Sequence, residues 1–493
     1  MKKIPLGLVL ICIAALFLRL WQAPEFFYFT MDEAIIAFRG WGLFELGRTF
    51  IIGGISPLGV HHPPYFYWLS AVFLPLSNYS PLIWSFLALI PALGTIILLY
   101  YLGKKFGGIR LGAVSAIVYT FSLTAILFDR HYWPLVFNPF FAVSTLWLLI
   151  SKYKRKWLYL SLLMVLAVTA DPSNLVLLLL VLFGLFKQKT KTKSKLVFAV
   201  CFLFIFLAPL VLFDLRHNGS NISGVQKFIA KAGENQPNLQ SFQNAFLLPP
   251  RTLSLFWYTN QTNIAFFHTY CPTYSNDRQL EQSVVLVLLA LLLLVIYSIK
   301  KSKTATGEQY FAFLLLFYWL GLLVYGSLAG RPLFDHYLAG LLPVFAFITA
   351  KTFTRFWVIG FFLTVIFVCL NLAQFMNLSN PYGLKAIKSA VEWSAGQLGN
   401  QEFALDVNSN CFRYNGTRYL YEINNTPPAI SFIDPQFFWL YRKLPADYFP
   451  QKVVLFSDTK DKPDLPILSQ KNFGAWDVYI LDNLKKDYKI EGM

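Results

Sequence analysis

Charged residues are scarce in this 493-residue chain. Asp, Glu, Lys and Arg together make up 14% of it, against about 25% in a typical soluble domain. Hydrophobic residues make up 56%, and hydrophobic runs long enough to cross a bilayer recur between residues 4 and 375. So low a charge content excludes an ordinary soluble globular protein and predicts a polytopic α-helical membrane protein.

Cysteine is also scarce, with five residues in the chain. Cys12, Cys201 and Cys369 lie inside hydrophobic runs, and the spacing of the five excludes a disulfide framework or a zinc motif. Only Cys271 and Cys411 lie in polar segments, so a single disulfide bond between them is left as an open alternative.

Acidic residues are almost absent from the short loops that carry much of the positive charge. Nineteen of the 42 Lys and Arg residues lie in these loops, with Glu308 as the only acid among them. Positive loops mark the cytoplasmic side of a membrane protein. The net charge of +17 therefore indicates topology, and no nucleic-acid partner is expected. The nearly neutral loops are predicted to face the extracytoplasmic side of the cell membrane.

The basic loops divide the hydrophobic runs into eleven predicted membrane crossings. These are residues 4–20, 82–102, 111–128, 134–150, 157–170, 173–186, 196–213, 282–299, 310–328, 338–350 and 356–375. Residues 64–78 would make a twelfth crossing, but counting them would move Lys104, Lys105 and Arg110 outside. Because this stretch would reach only about 22 Å as a helix, we interpret it as a juxtamembrane helix in the first outer loop, residues 22–80.

The last part of the chain, residues 376–493, differs from the hydrophobic part, residues 1–375. It mixes charge, Gly and Pro with short strand-like runs and a helical pattern near residues 384–398. Eleven crossings place it outside the membrane, so we expect a small extracytoplasmic α/β domain there. Residues 214–281 are predicted to form a long outer loop, and a lid is one role for a loop of this length.

Histidine is confined to the predicted outer side. All six residues fall there, in loops or at helix ends: His61, His62, His131, His217, His268 and His336. Ionisable groups at a membrane surface are usually paired or functional. We therefore expect the active site on this side, with salt bridges that close helix ends as the alternative for each group.

The acid pair Asp32-Glu33 lies about ten residues beyond the first hydrophobic run, in FYFTMDEAIIAFRG. The pattern of apolar residues that follows predicts a helix with both acids in its first turn. Acids are favoured there by the helix dipole, so a capping role is one interpretation. The other is catalytic, because a carboxylate at the membrane surface can take a proton from an acceptor hydroxyl or hold a metal ion.

Several motifs resemble the membrane glycosyltransferases of the GT-C type. LFLRLW, the DEA of TMDEAIIA and then HHPPYFYWLSAVFLPL are similar to the start of the protein O-mannosyltransferase and aminoarabinose transferase group, glycosyltransferase family 39. DRHYWPLVFNPFF and ADPSNLVLLLL are similar to that group too. The resemblance covers residues 1 to about 210.

The resemblance implies inverting transfer of a single sugar from a polyprenyl-phosphate donor to a protein, lipid or glycan acceptor outside the membrane. It implies Asp32 as the general base or as the ligand of a divalent metal ion, the one cofactor considered. Glu33 would bind the acceptor or support Asp32. The His-Pro-Pro of the family matches His62, with His61 as an additional histidine. The chain departs from the family at Asn138, which replaces an aspartate before proline.

Further side chains are predicted to bind substrate. The negative phosphate of the donor requires cations that can bind it in a bidentate manner. We expect binding of donor or acceptor by His61, His62, Tyr65, Arg130, His131, Arg216, Arg331 and His336. Two other functions stay open: a transporter or flippase of lipid-linked sugars, which would show charged and broken membrane helices, and a glycan polymerase or ligase that uses a diphosphate carrier.

Overall fold

The structure is a computed structural model. It describes residues 5–56, 59–188, 190–234, 239–259, 283–302, 307–328, 333–409, 413, 415–459, 462–483 and 490. Within these residues the chain is mostly helical, with one five-stranded sheet near the C-terminal end. Arg331, His268, Cys271 and Cys411 lie outside the described residues.

The helices follow the apolar runs of the sequence. They are α1 (Leu6–Leu20), α2 (Ala23–Phe26), α3 (Met31–Glu45), α4 (Tyr65–Phe73), α5 (Trp84–Phe121), α6 (Leu123–Arg130), α7 (Asn138–Ile150), α8 (Lys156–Ala170), α9 (Leu175–Lys187), α10 (Thr192–Arg216), α11 (Ser220–Glu234), α12 (Leu239–Trp257), α13 (Val284–Ser302), α14 (Gln309–Leu322), α15 (Leu342–Arg355), α16 (Trp357–Met376), α17 (Leu384–Leu398), α18 (Thr417–Ile423) and α19 (Asp434–Phe437). Five helical segments are long and apolar enough to cross a membrane, and six shorter apolar helices accompany them. The chain is a multi-pass membrane protein, and the number of crossings stays a prediction.

Helix α5 covers two of the predicted crossings and is broken between them. Gly107 and Gly108 have non-helical backbone angles, and Gly108 has a φ of 78°, a conformation that favours glycine. Gly103 and Gly112 lie against each other across the break, where a Cβ atom on Gly103 would lie 2.7 Å from Cα of Gly112. The break therefore turns the chain at the basic loop, as the sequence predicts.

The predicted cytoplasmic loops meet at one end of the helices. Lys105 Nζ donates to the carbonyl oxygen of Ile150 at 3.0 Å, and Lys351 Nζ forms an ion pair with Glu308 at 2.5 Å. At the opposite end of the helices, the first outer loop contacts His131 through Glu33 and contacts Gly416 of the C-terminal region through Phe29. The structure thus separates the two sets of loops that the charge pattern separates.

The hydrophobic stretch at residues 64–78 forms α4 and a 3₁₀ turn, Leu74–Ser77. The nine residues of α4 are about 14 Å long, too short to span the hydrocarbon core of a bilayer. This segment packs against α3 at Gly40, where a Cβ atom would lie 2.5 Å from Cδ1 of Leu74. Its length and packing favour the juxtamembrane interpretation, which stays a prediction.

The predicted long outer loop is partly helical, since α11 and α12 lie within residues 214–281. Helix α12 buries Leu248, Leu253 and Phe256, and the indole N–H of Trp257 donates to Oγ1 of Thr349 on α15 at 2.8 Å. The Asn and Gln residues of α12 are exposed or half-buried. The polar composition of this segment therefore did not indicate that one face of the helix is apolar. The lid predicted for residues 214–281 stays a prediction, and residues 260–281 of it lie outside the described residues.

The sheet near the C-terminus has the strand order β2-β1-β3-β5-β4. Its strands are β1 (Phe403–Asn408), β2 (Ile430–Ser431), β3 (Lys452–Ser457), β4 (Ile467–Phe473) and β5 (Trp476–Asp482). Strand β1 is parallel to β2 and β3, whereas β5 is antiparallel to β3 and β4. The predicted mixture of helix and strand is confirmed, and its position outside the membrane stays a prediction.

Residues just before α3 connect the sheet region to the membrane helices. The backbone N–H of Gly416 donates to the carbonyl oxygen of Phe29 at 3.0 Å. The rings of Phe29 and Phe38 pack edge to face on Tyr419, with centroids 5.7 and 5.1 Å away. Helix α3 is therefore held between the two parts of the chain, and this contact fixes its first turn.

Candidate active site

Glu33 caps helix α3. Its Oε2 accepts hydrogen bonds from the backbone N–H of Thr30 at 2.9 Å and from the hydroxyl of Thr30 at 2.5 Å. Its Oε1 lies 2.8 Å from Nε2 of His131, and the side chain is completely buried. The capping interpretation of the acid pair is therefore correct for Glu33.

The charge of Glu33 is compensated despite its burial. Burial raises the pKa of the Glu33 carboxyl, but His131 and the two hydrogen bonds from Thr30 lower this pKa by more. The net direction is below the ordinary value, so Glu33 is ionised at neutral pH. It is a fixed negative charge next to the following candidate.

Asp32 is the acid of the pair that is available to act as a base. The residue as a whole is half-buried. Burial of its carboxyl, followed by the charge of Glu33, raises the pKa of that carboxyl to about 6, with His131 acting in the opposite direction. A base with a pKa near the operating pH combines an ionised form with a useful affinity for a proton. Asp32 therefore has the properties of a general base, as the sequence predicts, and its role stays a prediction.

Three aromatic rings extend from the acid pair. The rings of His131 and Trp133 stack with centroids 4.3 Å apart and an interplanar angle of 9°. His336 packs edge to face on Trp133 at 5.0 Å. The structure thus brings the predicted residues His131 and His336 together with Asp32 and Glu33, although they come from three separate segments of the chain.

His62 lies in a small hairpin of the first outer loop. The backbone N–H of Gly53 donates to the carbonyl oxygen of His62 at 2.6 Å, and the N–H of His62 donates to Gly54 at 2.8 Å. Burial lowers the pKa of His62 to about 4, and Nδ1 lies 3.1 Å from the carbonyl oxygen of Thr169. The neutral ring donates through Nδ1, so Nε2 carries a lone pair and can accept a proton or a hydrogen bond.

The same hairpin packs on Tyr67 beside Asp32. A Cβ atom on Gly53 would lie 2.4 Å from Cε2 of Tyr67, and one on Gly54 would lie 2.6 Å from its hydroxyl oxygen. Burial raises the pKa of Tyr67, and the charge of Asp32 contributes in the same direction. Only glycine allows this approach, and it places the hairpin next to the candidate base.

His61 points to a different part of the molecule. Its backbone N–H donates to Oδ1 of Asn221 at 2.8 Å, and its ring Nδ1 lies 2.9 Å from the same oxygen. Burial lowers the pKa of His61. Together with Arg216, which is exposed at the end of α10, His61 lines a cavity away from His131.

Two predicted substrate ligands make contacts that hold helices together. The hydroxyl of Tyr65 donates to the carbonyl oxygen of Ile205 at 2.5 Å. Arg130 donates to the carbonyl oxygens of Leu18 and Trp21 at the end of α1. Because these polar groups already bond to the backbone, the geometry does not support substrate binding by Tyr65 or Arg130. Their role in binding stays a prediction. Arg331 lies outside the described residues.

Asp129 lies near the position where the resemblance implies a second aspartate, and both of its carboxylate oxygens have partners. It forms a buried ion pair with Arg19 at 2.8 Å and accepts a hydrogen bond from the hydroxyl of Tyr119 at 3.0 Å. Asn138, which replaces the aspartate before proline, accepts a hydrogen bond from Asn174 at 2.7 Å. Both positions connect helices in this chain.

Sequence reasoning missed Arg39, whose guanidinium lies over the rings of Phe50, Tyr67 and Trp439 at 5.2 to 5.5 Å. A signal was present, because Arg39 follows Asp32 by seven residues, which is two helical turns and the same face of α3. A cation on the face that carries the candidate base is a binding candidate.

A metal ion is the one cofactor that the sequence suggested. Within the part of the chain that the structure describes, no three His, Cys, Asp or Glu side chains come together as a metal site. Both carboxylate oxygens of Glu33 accept hydrogen bonds, so Glu33 does not supply a second ligand beside Asp32. These residues do not fit a metal centre at Asp32.

Neither a family model nor a curated protein sequence matches the chain. Among solved structures, it is similar to the Archaeoglobus fulgidus oligosaccharyltransferase, in a crystal structure of its complex with Zn and sulfate. The TM-score is 0.50 at 12% identity, over 91% of this chain and 68% of that chain. The fold is that of the GT-C membrane glycosyltransferases. The resemblance inferred from the motifs is thereby confirmed at the level of the fold.

A second similar structure is apo ArnT from Cupriavidus metallidurans. The TM-score is 0.47 at 11% identity, and the match covers 97% of this chain and 98% of that one. The same enzyme bound to undecaprenyl phosphate matches with a TM-score of 0.43 at 12% identity, over 96% and 97% of the two chains.

Proposed function

We propose that this chain is a glycosyltransferase that moves a single sugar, with inversion, from a polyprenyl-phosphate donor to an acceptor hydroxyl. The reaction takes place on the extracytoplasmic face of the cell membrane. The observation that carries the proposal is the first turn of α3, where the half-buried Asp32, whose carboxyl has a pKa of about 6, lies beside the ionised and hydrogen-bonded Glu33.

Asp32 acts as the general base in this mechanism. The acceptor oxygen attacks the anomeric carbon from the side opposite the phosphate, and its proton moves to Asp32. The bond between the anomeric carbon and the phosphate oxygen breaks, and polyprenyl phosphate leaves with the bonding electron pair. A single displacement inverts the configuration and requires one base, because phosphate is a good leaving group without protonation. Asp32 then releases the proton to solvent.

Glu33 and His131 are positioning residues. Glu33 fixes the first turn of α3 through Thr30, and its charge helps to keep the pKa of Asp32 raised. His131 holds Glu33 and stacks on Trp133, which offers a flat surface of the kind that binds sugar rings. The motifs DEA and HPP support the monosaccharide donor, and the likeness to an oligosaccharyltransferase supports the transferase fold.

The test uses the purified full chain and a panel of radiolabelled polyprenyl-phosphate sugars. Asp32→Asn should insert normally and lose about 10² to 10⁴ in transfer rate, the usual contribution of a general base. Asp477→Asn is the matched control, since Asp477 lies on β5 and bonds to Asn472. Turnover by Asp32→Asn at the wild-type rate would remove Asp32 from the mechanism.

The same panel separates the alternative functions. A flippase would move the labelled lipid between the leaflets of proteoliposomes without forming a new glycosidic bond. A polymerase or ligase would use polyprenyl-diphosphate donors and ignore the monophosphates. The proposal requires release of polyprenyl monophosphate in step with the appearance of labelled acceptor.

A further inference from the structure

A cavity of about 580 Å³ lies beside α3, two turns along the helix from Asp32. Its walls come from α3, from residues 48–52, from the C-terminal end of α10 and from residues 439–440 of the C-terminal region. This volume is in the range of cavities that hold small ligands. The predicted substrate residues His61 and Arg216 lie here and not beside the acid pair.

The lining of this cavity is strongly biased in charge. It contains the three arginines Arg39, Arg48 and Arg216 and the two histidines His61 and His217, and none of the described residues that line it is an acid. The neighbouring Asp214 accepts the backbone N–H of Asn221 at 2.9 Å and is not part of the lining. Such a wall attracts anions.

Arg39 is the innermost cation. One of its terminal nitrogens donates to the carbonyl oxygen of Ile52, and its guanidinium is surrounded by the rings of Phe50, Tyr67 and Trp439. Its Nε is buried and has no hydrogen-bond acceptor among the described residues. A buried guanidinium without a carboxylate is unfavourable in free energy, and a bound anion would stabilise it.

Other polar side chains are already placed around the cavity. Arg48 is held by the carbonyl oxygen of Trp439 at 2.9 Å. His217 stacks on Phe213 with ring centroids 3.9 Å apart, at the end of α10. Arg48 and Arg216 are exposed, whereas Arg39 is half-buried.

One wall of the cavity is formed where α10 ends, close to the predicted membrane surface. Leu212 and Leu215 on the same turn are 52% and 78% exposed, as expected for side chains in contact with lipid. Phosphates of lipid headgroups lie at this level of a bilayer. The position therefore favours an anion that is attached to a membrane anchor over one that arrives from solution.

We propose that this cavity binds the phosphate of a membrane-anchored acceptor and so holds the acceptor hydroxyl near Asp32. Seven residues of α3 separate Arg39 from Asp32, a distance of about 10 Å along the helix. The donor phosphate must lie directly behind the anomeric carbon in an inverting displacement, within a few ångströms of the attacking oxygen. The cavity therefore serves a distant part of the acceptor, an assignment that rests on the proposed function.

The binding test needs no turnover. The full chain in detergent is titrated with dioctanoyl phosphatidic acid, with neutral dioctanoylglycerol and with inorganic phosphate, and affinity is measured by calorimetry. We expect phosphatidic acid to bind at least tenfold more tightly than either of the other two. Equal binding of dioctanoylglycerol would contradict recognition of phosphate. Equal binding of inorganic phosphate would contradict a membrane-anchored ligand.

Two variants connect this binding to the cavity. Arg216→Gln and Arg48→Gln should each weaken binding of phosphatidic acid by about tenfold or more, the loss expected for a hydrogen bond to a charged group. Arg442→Gln is the control, because Arg442 is a partly exposed arginine near Glu45 outside the cavity lining. Unchanged affinity in both cavity variants would overturn the proposal.

A further variant separates this inference from the proposed transferase activity. Asp32→Asn should bind phosphatidic acid with wild-type affinity while it loses transfer. If no polyprenyl-phosphate sugar is ever transferred but phosphate binding depends on Arg48 and Arg216, the function is wrong and the anion site is correct. If transfer occurs and the cavity variants bind normally, only the anion site is wrong.

Discussion

Two acids at helix ends look similar in the sequence and differ in the structure. Asp32 precedes Glu33 at the start of α3, and Asp129 precedes Arg130 at the end of α6. Asp129 is buried against Arg19 and Tyr119, which occupy both of its oxygens. Asp32 lies beside the like charge of Glu33, and the residue is half-buried. An acid becomes available for chemistry where the fold does not supply it with a cation.

The prediction with the largest expected effect replaces each of the two aspartates by asparagine, which removes the charge and keeps the shape. Asp129→Asn should lower the free energy of unfolding by about 3 to 5 kcal/mol, because it leaves the Arg19 charge buried without its partner. Thermal unfolding in detergent measures the loss. The Arg19→Met/Asp129→Leu double variant should recover most of it. Asp32→Asn should keep or raise stability, because it removes a half-buried charge beside that of Glu33. A large loss there would make both acids structural.

Dependence on pH is the second test. Because the pKa of Asp32 is about 6, the transfer rate should fall about tenfold per pH unit below 6, as the base becomes protonated. The contribution of Asp32 to stability has the opposite sign. Its folded-state pKa is raised above the ordinary value, so the folded state gains stability as the pH falls from about 6 towards 4. A rate profile that is flat between pH 5 and 7 would contradict the assignment.

Arg130 tests whether a cation next to an acid marks the donor site. Its contacts with the end of α1 predict that Arg130→Gln lowers stability by about 1 to 3 kcal/mol. The surviving folded fraction should keep the wild-type apparent KM for the lipid donor. A raised KM with unchanged stability would return Arg130 to the phosphate site that the sequence predicted.

Much of the fold could be predicted because membrane helices are encoded locally. Runs of apolar residues and basic loops gave the helices and their two ends, including the turn at Gly107 and Gly108. Helix α12 was missed because its apolar face is interrupted by polar residues and contains Pro249 and Pro250, which usually end helices.

The candidate site was predictable only in part. Asp32 and Glu33 are adjacent in the sequence, and their motif identified them. The partner of each charge comes from distant positions: Arg19 lies 110 residues before Asp129, and His131 lies 98 residues after Glu33. No pattern within one helix shows which acid receives a cation. The packing of distant segments decides which acid lies beside a cation. This packing is the difference between Asp32 and Asp129.

The smallest and most selective test changes Glu33 without removing the cap. In Glu33→Gln the amide oxygen can still accept the hydrogen bonds of Thr30, so α3 should keep its first turn. The negative charge beside Asp32 is lost, however, and the pKa of Asp32 should fall because Glu33 is one of the two causes that raise it. We expect the acidic limb of the pH–rate profile to move by up to about one unit to lower pH, with the rate on the plateau reduced less than in Asp32→Asn. Unchanged thermal stability would show that the cap is intact. An unmoved limb would mean that burial alone raises the pKa of Asp32. A plateau as low as that of Asp32→Asn would instead place Glu33, and not its neighbour, at the reacting hydroxyl.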